Sequence, residues 1–377
     1  MSEATILAVG DIILGEPDPD RFFAPAAPTL RAGDAVIAHV ETPYTYEGIQ
    51  MPVEVPSSAG DPARLSALPA AGFNLATIAG NHAYDQGLPG VRDTIATLRG
   101  LGIETAGTGL TLAEARQPAF LERKGIRFGV LSYNAVGPRA SWAGPAKAGA
   151  AYVDIMTHYE QEYATPGGPG RIYTFVEPDS LEAMEHDIEA LRPQCDIAIV
   201  AFHKGIGHTH AEIASAEKHL THAAVTAGAD VVIGHHAHIC KGIEVYRGKP
   251  IYHGLGNFVT PSQSLSEDPR KNNSPERLAW AKRRKKLFGF EPDPSMPNYN
   301  FHPESRNTLI AKVVVSADGI LRAGFVPCYI DQQVRPVPVS RDDGGQAVVD
   351  YLATITAEAG LKTQFAWSED GTEVLIS

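Results

Sequence analysis

Seven short apolar runs, most of them closing on a polar side chain, alternate with helical patterns along this 377-residue chain. They are TILAVGD (5–11), DAVIAHVE (34–41), FNLATIAGNH (73–82), IRFGVLSYN (126–134), DIAIVAFHKG (196–205), ADVVIGHHAH (229–238) and PIYHGLGNF (250–258). Runs of this kind read as buried strands, and the stretches 87–102 and 210–228 between them carry helical spacing. Alternating strands and helices predict an α/β domain with a largely parallel sheet, which gathers ligands at the carboxyl ends of its strands. Six of the runs place Asp, Glu, Asn or His there. One such residue is trivial; six of metal-binding type are informative.

Histidine is distributed unevenly. Nine of the 14 histidines lie between His203 and His253, three of them in GHHAH (234–238). Neutral imidazole is the commonest metal ligand, and Asp11, Glu41 and Asn81 add oxygen donors. With His203, His236 and His238 they make six candidate ligands from five strand ends. Such a set fits two divalent cations (Mn, Zn or Fe) sharing one carboxylate, the equipment that turns water into a hydroxide nucleophile.

Charge and composition narrow the remaining choices. A formal charge of -12 argues against nucleic-acid binding. Cys195, Cys240 and Cys328 are too few and scattered for a disulfide framework. The N-terminal MSEATILAVGDIILG has no leader-like pattern and no apolar run is long enough for a membrane span, so the expected location is cytoplasmic. Residues 135–178, rich in Gly, Pro, Ala and Tyr, and 260–306, with KRRKK at 282–286, read as rim insertions without core. Residues 307–330 predict a hairpin turning at Asp318–Gly319, followed by a helix over 345–360 and the terminal strand EVLIS. The expected organisation is one domain over 1–330 with 331–377 packed on it.

Five motifs occur in order: GD (10–11), GNHAYDQG (80–87), FHKG (202–205), GHHAH (234–238) and GLGNF (254–258). Together they resemble the CapA-like family associated with poly-γ-glutamate capsule synthesis, within the calcineurin-like metallophosphoesterase superfamily. The resemblance implies a four-layer α/β-β/α sandwich with a dinuclear centre at the strand ends. It implies Asp11, Asn81, His203, His236 and His238 as ligands, Glu41 as the bridging acid, and His82 as proton donor. His235 is then a supporting or exposed neighbour, and Asn257 lies at the pocket edge.

Two departures stand out. The superfamily's Asp-x-His is Asp11-Ile12-Ile13 here, and the family's usual Asn-Leu-Glu is His39-Val40-Glu41. His39 shares a strand face with Glu41 and is a candidate to replace the lost histidine or to touch substrate. Lys204, His208 and His210 are further candidate substrate contacts, with Lys204 favoured as an anion contact. The eight basic residues from Arg270 to Lys286 offer a second place to gather an anionic substrate. The expected function is a metal-dependent hydrolase cleaving a phosphoester or γ-glutamyl-type amide in a small anionic substrate or a γ-glutamyl polymer. The rival is a non-catalytic polymer-binding or assembly factor for capsule synthesis.

Overall fold

Alternation along the strands decides the layering. In the strand Ala4–Ile12, Ala4, Ile6 and Ala8 join one apolar cluster while Leu7 and Val9 join another. In the strand Ile197–Lys204, Ile197, Ile199 and Ala201 face the first cluster, and Ala198, Val200 and Phe202 face a third. The first cluster therefore lies between two sheets. The second is covered by helical residues such as Phe22, Leu30, Leu68 and Leu98, the third by Met184, Ile188, Leu220 and Ala224. This is the four-layer α/β-β/α sandwich expected from the sequence. The computed structural model describes residues 2–52, 57–161, 170–266 and 274–377.

The second sheet is parallel at its centre and antiparallel at both edges, whereas the first is parallel in one half and antiparallel in the other, so "largely parallel" holds only for part of each. In the first, Ala4–Ile12, Ala35–Val40, Leu75–Thr77 and Glu104–Ala106 run parallel in that order. On the other side Ala4–Ile12 pairs antiparallel with Asn307–Ser316, the first arm of the predicted hairpin. In the second, Lys249–Leu255, Val231–His236, Ile197–Lys204 and Ile126–Asn134 are parallel neighbours. Cys240–Tyr246 and Ala119–Arg123 close it in antiparallel fashion. All parallel strands aim their carboxyl ends at one rim, where the polar residues collect.

The C-terminal helix Gly345–Glu358 sends Val348, Leu352 and Ile355 into the inter-sheet cluster, so residues beyond 330 share the main core. No described helix is long and apolar enough to cross a membrane. The stretch 135–178 differs from expectation. Ala135, Ala143, Ala151, Val153 and Val176 are buried in the third cluster, and Ile155–Glu160 pairs with Arg171–Val176 as a hairpin. Small side chains fill this part of the core, which is why composition hides it. KRRKK lies on the helix Pro275–Phe288, capped by Ser274 accepting from the Arg277 amide. Arg270 and Lys271 lie outside the described residues.

The same alternation corrects one candidate. Lys204 follows His203, so its side chain leaves the opposite face of the sheet. It is buried, donates to Glu217 Oε2 (2.8 Å) and to the His253 carbonyl (3.0 Å), and is not a substrate contact. Glu217 Oε1 also accepts from the Ala214 amide, so the pair ties both ends of the loop 205–214 to the sheet. Breaking a buried pair strands a charge, whereas replacing both partners does not. Glu217→Ala is expected to lower unfolding free energy by about 3 kcal/mol in urea titration. The double variant Lys204→Met/Glu217→Leu should lose much less.

Candidate metal centre

A bulge aims the first carboxylate. Ala8 is level with Ile37 and Asp11 with His39, so three steps along one strand match two along the next. The extra residue turns Asp11 from the helical face, where simple alternation would put it, to the inter-sheet face that His39 shares. The GLGNF turn at 254–258 presses close: a Cβ on Gly10 would lie 2.1 Å from the Gly256 carbonyl oxygen, whose residue has φ +70. The glycines of GD and GLGNF are thus required by this approach.

Four other strand ends meet around Asp11. Val231–His236 ends in two left-handed residues, His236 (φ 86) and His238 (φ 53), separated by Ala237. Such conformations cost on the order of 1 kcal/mol each for non-glycine residues, and they let both rings face one site. His238 Nε2 is 3.2 Å from Glu41 Oε1, and its Nδ1 is 3.4 Å from Asp11 Oδ2. His203 Nε2 is 2.7 Å from Asn81 Oδ1 and 3.1 Å from His236 Nδ1. Asp11, Glu41 and His238 bring donor atoms within 4.8 Å of one another, as do Asp11, His39 and His203. The carboxylate common to both groups is Asp11, not Glu41, which the sequence resemblance marks as the bridging acid.

Electrostatics show what this cluster lacks. Burial, and then the charge of Glu41, hold the Asp11 carboxyl well above the usual carboxylate range. Burial would raise Glu41 too, but His238 overrides it and brings Glu41 down to about 2. Burial draws His238 down, and Glu41 and Asp11 outweigh this, lifting it to about 9. Glu41 Oε2 nevertheless has no hydrogen-bond partner among the described residues. Burial and adjacent imidazoles hold His203 well below its ordinary value, and burial and His238 bring His236 to about 3. Neutral imidazole lone pairs, an orphaned carboxylate oxygen and a buried carboxyl whose ionisation is disfavoured by a second one fit a divalent cation.

The remaining candidates separate. His82 Nδ1 lies 2.6 Å from Asp85 Oδ2, which also accepts from the Ser57 amide. Asp85 escaped the sequence reading, although the three-residue spacing after His82 was a usable signal. Asn257 is buried and holds His238 through Oδ1 (2.9 Å), while its Nδ2 donates to the Tyr299 hydroxyl, so it supports a ring instead of lining the edge. His235 is buried, not exposed, and bonds the Val9 carbonyl. His208 stacks on His238 (centroids 5.5 Å apart) beneath Phe288, Phe290 and Phe301. His210 turns away to Glu304 and Glu358 and is not at the centre. A cleft of about 500 Å³ lined by Thr5, Thr29, Lys312 and Glu373 lies toward the amino end of the Asp11 strand and carries none of these groups.

A family model described as Bacterial capsule synthesis protein PGA_cap matches residues 5–262. The chain belongs to that family. The PGA biosynthesis protein CapA of Bacillus subtilis (strain 168) is 26% identical over 262 residues, covering 67% of this chain and 62% of that protein. A probable polyglutamine synthesis accessory protein of Mycobacterium tuberculosis (strain ATCC 25618 / H37Rv) is 30% identical over 241 residues, covering 62% and 57%. The chain thus spans less than two thirds of the length of these curated relatives. Among solved structures, the calcineurin-like phosphoesterase YfkN from Bacillus subtilis aligns with TM-score 0.42 at 13% identity, over 95% of this chain and 97% of that one. The PGA_cap match encloses every residue of the cluster, from Asp11 to Asn257.

The buried imidazoles make metal-free stability pH-dependent. Burial brings His235 and His253 to about 4, His236 is at about 3, and His39, His203 and His208 are also lowered. The unfolded chain therefore takes up protons at these sites near pH 6.5 that the folded chain refuses, and stability falls as pH drops from there toward 4. Asp11 opposes this with one group, and the contribution of His238 is lost as pH rises from about 6.5 through 9. The Tm of chelator-treated protein is expected to peak at about pH 6.5–7 and fall by pH 5. A Tm that keeps rising toward pH 5 contradicts this balance.

Proposed function

We propose that this PGA_cap protein is a metal-dependent hydrolase acting on an anionic substrate, through a phosphoester or a γ-glutamyl-type amide bond. Asp11, Glu41, Asn81, His203, His236 and His238 are the residues to hold the cations. Two divalent ions there (Mn, Zn or Fe) would supply Lewis acidity and acidify bound water.

The observation that carries the reading is the His82–Asp85 pair beside this cluster. Asp85 accepts from Nδ1–H, which fixes the His82 ring and tautomer and leaves Nε2 to carry the proton to or from a leaving group. His82 lies near enough to act electrostatically on both Glu41 and His236. A purely structural cation site needs no histidine held in this way. The aromatic cover over His208 and His238 excludes water from one flank and strengthens the charge interactions inside. The names of the relatives, a biosynthesis protein and an accessory protein, favour the second reading, a polymer-binding or assembly factor without turnover.

Hydrolysis of an aryl phosphate and of a γ-glutamyl anilide by manganese- or zinc-loaded protein separates the two. His82→Ala is expected to lower kcat by about 10²–10⁴-fold with bound metal unchanged. Asp11→Ala and His236→Ala should each lower bound metal by at least one ion per chain. If loaded protein cleaves neither compound and His82→Ala still binds γ-glutamyl polymer as the wild type does, the assembly-factor reading replaces the enzyme.

A further inference from the structure

His39 is buried and lies between two other imidazoles. Its ring stacks on His203 (centroids 4.8 Å apart) and on His235 (4.1 Å). Its Nδ1 is 3.0 Å from Thr77 Oγ1, and its Nε2 is 2.8 Å from His203 Nδ1. Thr77 Oγ1 donates in turn to the Ala38 carbonyl at 3.3 Å. His39 also has a donor atom within 4.8 Å of Asp11 and His203, so by proximity alone it qualifies as a ligand.

Counting protons decides between ligand and support. A neutral imidazole has one N–H and one lone pair. For His203 Nε2 to present a lone pair beside Asn81 Oδ1 and His236 Nδ1, its proton must sit on Nδ1 and be donated to His39 Nε2. His39 then carries its own proton on Nδ1 and donates it to Thr77 Oγ1, whose hydroxyl proton goes to the Ala38 carbonyl. Every group in the chain is satisfied, and it ends on backbone. Run in reverse, the chain puts the His203 proton on Nε2, pointing at Asn81, and the lone pair is lost to the site. In the productive direction His39 has no nitrogen left for a cation.

We propose that His39 is a positioning residue: with Thr77 it holds His203 in the tautomer whose Nε2 lone pair faces the cation site, and it is not itself a ligand. This rests on the reading that Asn81, His203 and His236 hold a cation. It assigns a purpose to the His39-Val40-Glu41 sequence that stands where Asn-Leu-Glu is usual. It also explains why a threonine hydroxyl sits at the end of Leu75–Thr77, level with His39.

The test is zinc titration of chelator-stripped protein, scoring both affinity and ions bound at saturation. Thr77→Val keeps the branched shape and removes the hydroxyl. It is expected to weaken zinc binding by about 10–100-fold, the usual effect of losing a group that orients a ligand, with the number of ions at saturation unchanged. Thr77→Ser, which packs less well but keeps the hydroxyl, should bind nearly as the wild type does. In long-range ¹⁵N spectra the zinc-loaded wild type should show His203 protonated at Nδ1, a state that bulk packing does not specify. Thr77→Val binding zinc like the wild type overturns the proposal, as does His39→Asn binding one ion fewer at saturation. Wild-type protein that binds no zinc overturns the reading of the whole centre, a failure distinct from either.

Discussion

Two carboxylates and a set of imidazoles are removed from water at one rim of the sandwich with a single compensating imidazolium, His238, between them. Taking Asp11 and Glu41 out of solvent is costly: burial and the neighbouring acid push the Asp11 carboxyl well above the usual carboxylate range, and Glu41 Oε2 is left without a partner among the described residues. The surrounding architecture serves this arrangement. The bulge before Asp11, the close approach of Gly10 to Gly256 and the left-handed backbones at His236 and His238 are local departures from regular structure. Such departures persist where packing on all sides over-determines them, and two sheets with a shared apolar interior provide that packing.

Outside the donor set, polar residues hold rings in place. Asn257 and Tyr299 orient His238, Asp85 orients His82, and Thr77 with His39 orients His203. On the opposite sheet face, Lys204 and Glu217 fix the loop that delivers His208 against His238. The segment 275–306 supplies Phe288, Phe290 and Phe301 as a cover on that side. Precision at the rim thus depends on side chains one layer removed from it.

Much of this was legible in the sequence because strand ends are reported by composition. An apolar run must be buried, and a polar residue at its end must face the rim, so Asp11, Asn81, His203 and the GHHAH loop could be grouped before any fold was known. Burial of small side chains was not legible: the alanines of 135–178 read as loop. Lys204 is next to His203 in sequence, yet the two-residue strand period sends it to the opposite sheet face, where it pairs with Glu217. Asp11 shows the reverse difficulty, since a bulge that no residue type announces reverses the face on which alternation would place it. Thr77 and Asp85 were overlooked because a hydroxyl or carboxylate that supports a histidine looks, in sequence, like any other polar residue.

Anomalous diffraction from crystals soaked in manganese or zinc addresses the central claim most directly. The account predicts at least one peak within about 2.0–2.3 Å of donor atoms from Asp11 and from the His203, His236 or His238 rings. A second peak would make Asp11 the shared carboxylate. Density lacking any peak at this rim, with the imidazoles bonded only to one another, would contradict it.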